Sequence, residues 1–128
     1  TRPGGAIAAA WAVTQFLGIE GYRAKQREVT DARAKIEAGV TKLGFRILGA
    51  PQLGIISFAH EKADALALYA KMHRRGWFTA ALVDPKALHL MLSPKHNDVA
   101  HEYLADLEAS LAEVLGGATE QMTARYAH

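Results

Sequence analysis

The chain contains no cysteine. That excludes a disulfide framework, thiolate metal ligands and a cysteine nucleophile, and it fits a reducing compartment such as the cytoplasm. Neither sign of charge dominates, because 15 Lys and Arg against 13 Asp and Glu leave only +2 over 128 residues. No strong pull toward nucleic acid or an anionic membrane is expected from such a balance. Long hydrophobic runs are also missing. The longest, Ala6 to Leu17, is interrupted by Thr14 and Gln15 and falls short of the roughly 20 residues that span a bilayer. Aromatic residues make up 8% of the chain, and the one that follows the basic run Lys71-Met72-His73-Arg74-Arg75, Trp77, is too few for a stacking platform on single strands. There is no internal repeat, low-complexity segment or Pro-, Ser- or Gly-rich linker, so one domain is expected. The opening Thr1-Arg2-Pro3-Gly4-Gly5 has no charged leader, and it reads as the start of a piece cut from a longer protein.

What is present suffices for a core. Half of the residues are hydrophobic, and a chain of this size buries roughly two-thirds of its unfolded surface. Pro3 and two glycines precede an alanine-rich helix, Ala6 to Leu17, which is apolar nearly all round, as a helix is when other protein covers it on several sides. Gly18 and Gly21 interrupt it. Val29, Ala32, Ile36, Val40 and Leu43 then recur at helical spacing up to Gly44, a natural C-terminal stop. Phe45 to Leu48 and Leu53 to Ala59 read as a hairpin-like pair of strands around the turn Gly49-Ala50-Pro51. Lys62 to Arg75 is a helix ended by Gly76, and Trp77 to Val83 and Ala87 to Leu92 are strands parted by the turn Asp84-Pro85. Asn97 or Asp98 caps a last helix that runs to Gly116. This order predicts an α+β domain with a small, mainly antiparallel sheet covered by helices on one face. The first helix exceeds the needs of one sheet face, so residues 1–20 are expected to pack on a domain or subunit outside this chain. Residues 118–128 form a polar tail that either frays or docks on other protein.

Candidate chemistry is sparse. The histidines are His60, His73, His89, His96, His101 and His128, and no pair has zinc-ligand spacing around a catalytic Glu. No metal site is expected. His89 lies within an apolar strand and reads as a hydrogen-bonded core histidine. Gly4-Gly5 beside Arg2 could offer an anion a helix N-terminus, although a structural helix start explains the pair as well. The Lys71 to Arg75 cluster complements a helix C-terminus. Ser57, Ser93 and Ser110 lack a nucleophile-elbow setting, and no glycine-rich phosphate loop occurs. The residues alone therefore make no complete catalytic constellation.

Taken in order, certain landmarks resemble one family. They are Thr1-Arg2-Pro3-Gly4-Gly5 with Trp11, Gly18 and Gly21-Tyr22, then Gly49-Ala50-Pro51-Gln52-Leu53, Gly76-Trp77 and Leu88-His89-Leu90, and finally Met122, Ala124 and Tyr126. The chain is similar, over essentially its whole length, to the C-terminal part of sphingosine-1-phosphate lyases, pyridoxal-phosphate enzymes related to the group II amino-acid decarboxylases. It departs from that pattern in having Thr1 where the family usually has Ser, and Ala127-His128 where Gly-Met follows the tyrosine.

The resemblance implies the C-terminal small domain of a fold-type I enzyme, closing over the active site of a homodimer whose larger domain binds pyridoxal phosphate through a lysine. That lysine is expected upstream of Thr1, because none of Lys25, Lys35, Lys42, Lys62, Lys71, Lys86 or Lys95 sits in the family's cofactor motif. The implied reaction is retro-aldol cleavage of a phosphorylated sphingoid base to a long-chain aldehyde and phosphoethanolamine. Tyr126 and Arg2 are the implied substrate-binding residues and Thr1 a cofactor-side contact, with residues 118–128 returning toward the active site. This piece alone is expected to be inactive. An amino-acid decarboxylase is the alternative within the same enzyme class, and a free-standing protein-interaction module is the alternative outside it.

Overall fold

The computed structural model describes residues 3–117. Its elements are helix α1 (Gly4–Lys42), strands β1 (Arg46–Ile47) and β2 (Ile55–Ala59), helix α2 (Ala65–Arg74), strands β3 (Ala80–Val83) and β4 (Lys86–Met91), and helix α3 (His96–Leu115). The strands form one antiparallel sheet in the order β1-β2-β4-β3. The α+β class, the two hairpin-like pairs and the helices on one side all agree with the sequence reading. Among the described residues no helix is long and apolar enough to cross a membrane.

Two-residue alternation sends Ile56 and Phe58 of β2 and Leu88 and Leu90 of β4 into the core. There they meet Ile36 and Val40 of α1, Leu68 and Met72 of α2, and Tyr103, Leu107 and Leu111 of α3. The C-terminal half of α1 lies over β1 and β2, α2 lies over β3 and β4, and α3 packs along both helices. Phe45 meets Phe58 edge to face, and Trp77 meets Tyr103 in the same way.

The helix stops are local chemistry. After α1 the chain turns through Gly44 at φ +85°, with the Gly44 N–H donating to Thr41 O and the Phe45 N–H to Val40 O, the paired bonds of a Schellman motif. The same two bonds close α2, from Gly76 to His73 and from Trp77 to Met72. α2 begins later than the expected Lys62 because Asp64 caps it, its carboxylate accepting from the Ala67 N–H at 2.9 Å.

Other boundaries differ more. The expected strand from Trp77 begins only at Ala80, because the Trp77 indole N–H is committed to Asp106 at 2.6 Å. Neither Asn97 nor Asp98 caps α3, which starts a residue earlier at His96. The Asn97 amide donates instead to Glu28 O at 2.6 Å and its oxygen accepts from Lys35, tying α3 to α1, while Asp98 pairs with Lys95. The His96 ring takes over the turn, its Nδ1 accepting from the Ser93 N–H at 2.9 Å.

The first helix is the largest departure from a compact domain. Gly18 adopts φ 55° and ψ −173°, outside the helical region and open essentially to glycine alone, and it breaks α1 into an arm and a body. Gly21, also expected to interrupt, stays helical. Only Ala32, Ile36 and Val40 of the body are buried, whereas the arm leaves Trp11 66% and Phe16 88% exposed, with Ile7 and Val13 also open to solvent. The helix expected to be buried is therefore uncovered by the rest of the described residues.

Candidate functional site

The face of the sheet opposite the helices holds the most distinctive chemistry. Register places Ser57 of β2 beside His89 of β4, and alternation points both away from Leu88 and Leu90. The Ser57 hydroxyl and His89 Nδ1 share a hydrogen bond at 2.8 Å. His89 is thus half-buried on the bare face and not in the core as expected from its apolar strand; the leucines on either side of it take the inward positions. Among the described residues no carboxylate is bonded to His89, so the pair lacks the third member of a nucleophilic triad. It serves as a polar pin between the two central strands.

Along the two central strands its neighbours on this face, Ile55 and Met91, are apolar, while the exposed Arg46 of β1, opposite Ala59, lies on the same face. Ile55 is 52% exposed and Met91 73%. Next to Ser57 lies a shallow hollow lined by Leu48, Ala50, Pro51, Gln52, Leu53 and Ile55. The Ala-Pro-Gln-Leu segment singled out in the sequence is therefore one wall of this surface. Two contacts hold it: the Arg33 guanidinium of α1 donates to Pro51 O, and the Leu92 N–H donates to Gly54 O at 2.6 Å.

The basic run at the end of α2 has a different use. Lys71 pairs with Glu113 of α3 at 2.9 Å, and Arg75 reaches Glu113, Ser110 Oγ at 3.1 Å and Asp106 at 3.7 Å. The hydrogen bond from Lys71, with the nearby Arg75 charge, holds the Glu113 carboxyl below its ordinary range. These cations fasten α2 to α3. Sequence spacing alone shows a helix end rich in positive charge, not the acids Asp106 and Glu113 of α3 that neutralise it.

Thr1, Arg2 and Tyr126, the site residues implied by resemblance, lie outside the described residues, as does the tail 118–128. Among the lysines, Lys25, Lys71, Lys86 and Lys95 are in ion pairs with carboxylates and Lys35 is bonded to Asn97. Lys62 borders a solvent-open hollow with Thr41, Gly44, Phe45, Arg46 and His60. A Schiff-base lysine needs a sheltered amine that can shed its proton. No described lysine is set up in that way, so the described residues do not fit a pyridoxal-phosphate site of their own.

No family model matches the chain. A rice (Oryza sativa subsp. japonica) sphingosine-1-phosphate lyase is 31% identical over 115 residues, which is 89% of this chain and 21% of the relative. The solved sphingosine-1-phosphate lyase of Burkholderia pseudomallei superposes on 92% of the chain with a TM-score of 0.83 at 30% identity, and this is 27% of that structure. The likeness is to the C-terminal domain of sphingosine-1-phosphate lyases. A relative named "Probable L-tyrosine/L-aspartate decarboxylase", from Methanosarcina mazei, is 32% identical over 115 residues, 89% of this chain and 29% of its own length. The chain thus spans between about a fifth and a third of the lyase and decarboxylase relatives it matches, and a larger domain accompanies the matched region in each.

Proposed function

We propose that this chain is the C-terminal small domain of a pyridoxal-phosphate-dependent carbon–carbon lyase, which cleaves phosphorylated sphingoid bases to a long-chain aldehyde and phosphoethanolamine. The observation that supports this reading best is the joint likeness in sequence and shape to the Burkholderia lyase, with 30% identity and a TM-score of 0.83 over 92% of the chain. The larger domain of the same chain would hold the cofactor, whose role in such chemistry is to act as an electron sink for the carbanion left by bond cleavage. In a cytoplasmic homodimer, this domain covers the active site. Tyr126 donates its hydroxyl to the substrate phosphate or a reacting oxygen, Arg2 pairs with the phosphate, and Thr1 lies on the cofactor side.

Aldehyde release from a phosphorylated sphingoid base by the full-length protein tests the reading. Cleavage is expected, and no aldehyde from a preparation with intact cofactor absorbance would refute it. Tyr126→Phe in the same protein should lower kcat/KM by about 10-fold or more, as removal of a positioned proton donor does; unchanged kinetics would remove Tyr126 from the site. A decarboxylase is the second reading, favoured by the 32% identity to the Methanosarcina relative. Carbon dioxide from tyrosine or aspartate, without aldehyde from the sphingoid base, would select it.

A further inference from the structure

The cations Lys25, Lys71, Arg75, Lys86 and Lys95 each hold a carboxylate. Arg46 and Lys62 do not. Both side chains are exposed, neither has a partner among the described residues, and both border the hollow where α1 ends and β2 leaves the sheet. A third donor joins them. His60 Nδ1 accepts from the Lys62 N–H at 3.2 Å, so the neutral ring carries its proton on Nε2. That nitrogen is unbonded among the described residues and lies 3.4 Å from where a Cβ on Gly44 would stand, while the ring packs edge-on against the buried Phe45. The carbonyls that end α1 offer little opposition to negative charge here, because Thr41 O and Val40 O already accept from Gly44 and Phe45. Among the lining residues the one acid is Glu61, exposed and also unpaired.

We propose that this hollow binds a small phosphomonoester that carries an ammonium group. The Arg46 guanidinium and the Lys62 ammonium supply charge to the phosphate, His60 Nε2–H gives it a directed hydrogen bond, and Glu61 receives the ligand's ammonium. The charges decide the class. Two cations and a neutral donor against one carboxylate match a doubly negative head with a single positive group, whereas a plain carboxylate or a neutral sugar would leave charge unmatched. At about 460 Å³ the hollow has the size of a small-molecule site, and its polar rim suits a ligand with little apolar surface. Solvent reaches these groups, so millimolar binding that weakens as salt rises is expected.

Site-specific acetylation of the full-length protein tests the proposal, with phosphoethanolamine as the probe. Labelling of Lys62 by N-hydroxysuccinimide acetate is timed by mass spectrometry of its peptide, and the exposed Lys95 is the reference. Lys62 should react about 10-fold more slowly at about nine-tenths saturation, while Lys95 keeps its rate. Arg46→Gln, at an exposed and unpaired position, should weaken the protection about 5-fold or more, the worth of one partly screened charge-assisted hydrogen bond. Inorganic phosphate should protect more weakly than phosphoethanolamine, and Glu61→Gln should remove that difference. Lys62 labelling that phosphoethanolamine leaves unchanged, or protection that Arg46→Gln does not weaken, would overturn the site. Equal protection by the two probes in the unsubstituted protein would overturn the ammonium-bearing ligand. The readout is local to Lys62, so it holds whether or not the protein releases aldehyde from a sphingoid base.

Discussion

Gly54→Ala probes the contact that fixes the wall of the candidate surface. A Cβ at this position would stand 2.5 Å from Val29 Cγ1 and 3.1 Å from Leu92 O. Neither neighbour yields easily. Val29 is β-branched and on a helix, where one χ1 rotamer dominates. Leu92 O belongs to backbone whose N–H already donates to Gly54 O at 2.6 Å, so moving the strands apart loses that bond. Overpacking of this kind costs about 1–3 kcal/mol, against a gain of about 0.4–1 kcal/mol from the stiffer unfolded chain. A net loss of about 1–2 kcal/mol is expected from these two contributions, read as a lower urea midpoint at unchanged slope by circular dichroism. Val29→Ala removes the colliding methyl, so the double variant should be more stable than the sum of the single changes by about 1 kcal/mol. Wild-type stability for Gly54→Ala, or strict additivity with Val29→Ala, would refute the collision.

Burial pushes the Tyr103 phenol up to about 12, with the nearby Thr79 hydroxyl pulling the other way. The folded pKa lies above the unfolded value of about 10, so this stability is complete below pH 10 and is lost as pH rises through 12, by at most about 3 kcal/mol; alkaline unfolding of Tyr103→Phe should lack that part of the decline. Asp64→Ala, which removes the cap on the Ala67 N–H, should cost about 1 kcal/mol in urea unfolding. Arg75→Ala breaks the bonds to Ser110, Glu113 and Asp106 and should cost about 1–2 kcal/mol, discounted for the partial exposure of the pairs, with a smaller deficit in high salt. Gly18→Ala should raise helicity at 222 nm in this chain, since its backbone conformation is closed to alanine and the arm makes no core contact; unchanged ellipticity would argue against a break at Gly18.

The sequence is most informative where the deciding physics is local. Ile36 and Val40 at helical spacing, Leu88 and Leu90 at strand spacing, and the glycines at 44 and 76 identify core faces and helix ends without reference to the rest of the chain. Long-range partners are what it hides. Asn97 looks like a cap but bonds to Glu28, 69 residues away. Trp77 looks like the first residue of a strand, but its indole bonds to Asp106 and its ring packs on Tyr103. For His89 the signal was available, since a residue between two inward leucines must face outward; only its pairing with Ser57 required the register between β2 and β4. The implied site residues Thr1, Arg2 and Tyr126 rest on resemblance alone, because they fall outside the described residues.

Two uncovered apolar surfaces, the α1 arm and the bare sheet face, leave the domain at the same end. The body of α1 meets the β1–β2 loop where Val29 abuts Gly54 and Arg33 holds Pro51, and Glu28 is bonded to Asn97 just past β4. Ile55 begins β2 one residue after Gly54, and its register partner Met91 ends β4 one residue before Leu92. The chain leading N-terminally from Val29 through Tyr22 and Ile19 to Gly18 therefore departs from the edge where the sheet's exposed apolar side chains lie. A helix apolar all round needs cover on several sides, whereas a sheet face needs it on one. The two surfaces together account for the large exposed hydrophobic area of a domain that has a well-packed core and, among its described residues, no catalytic constellation.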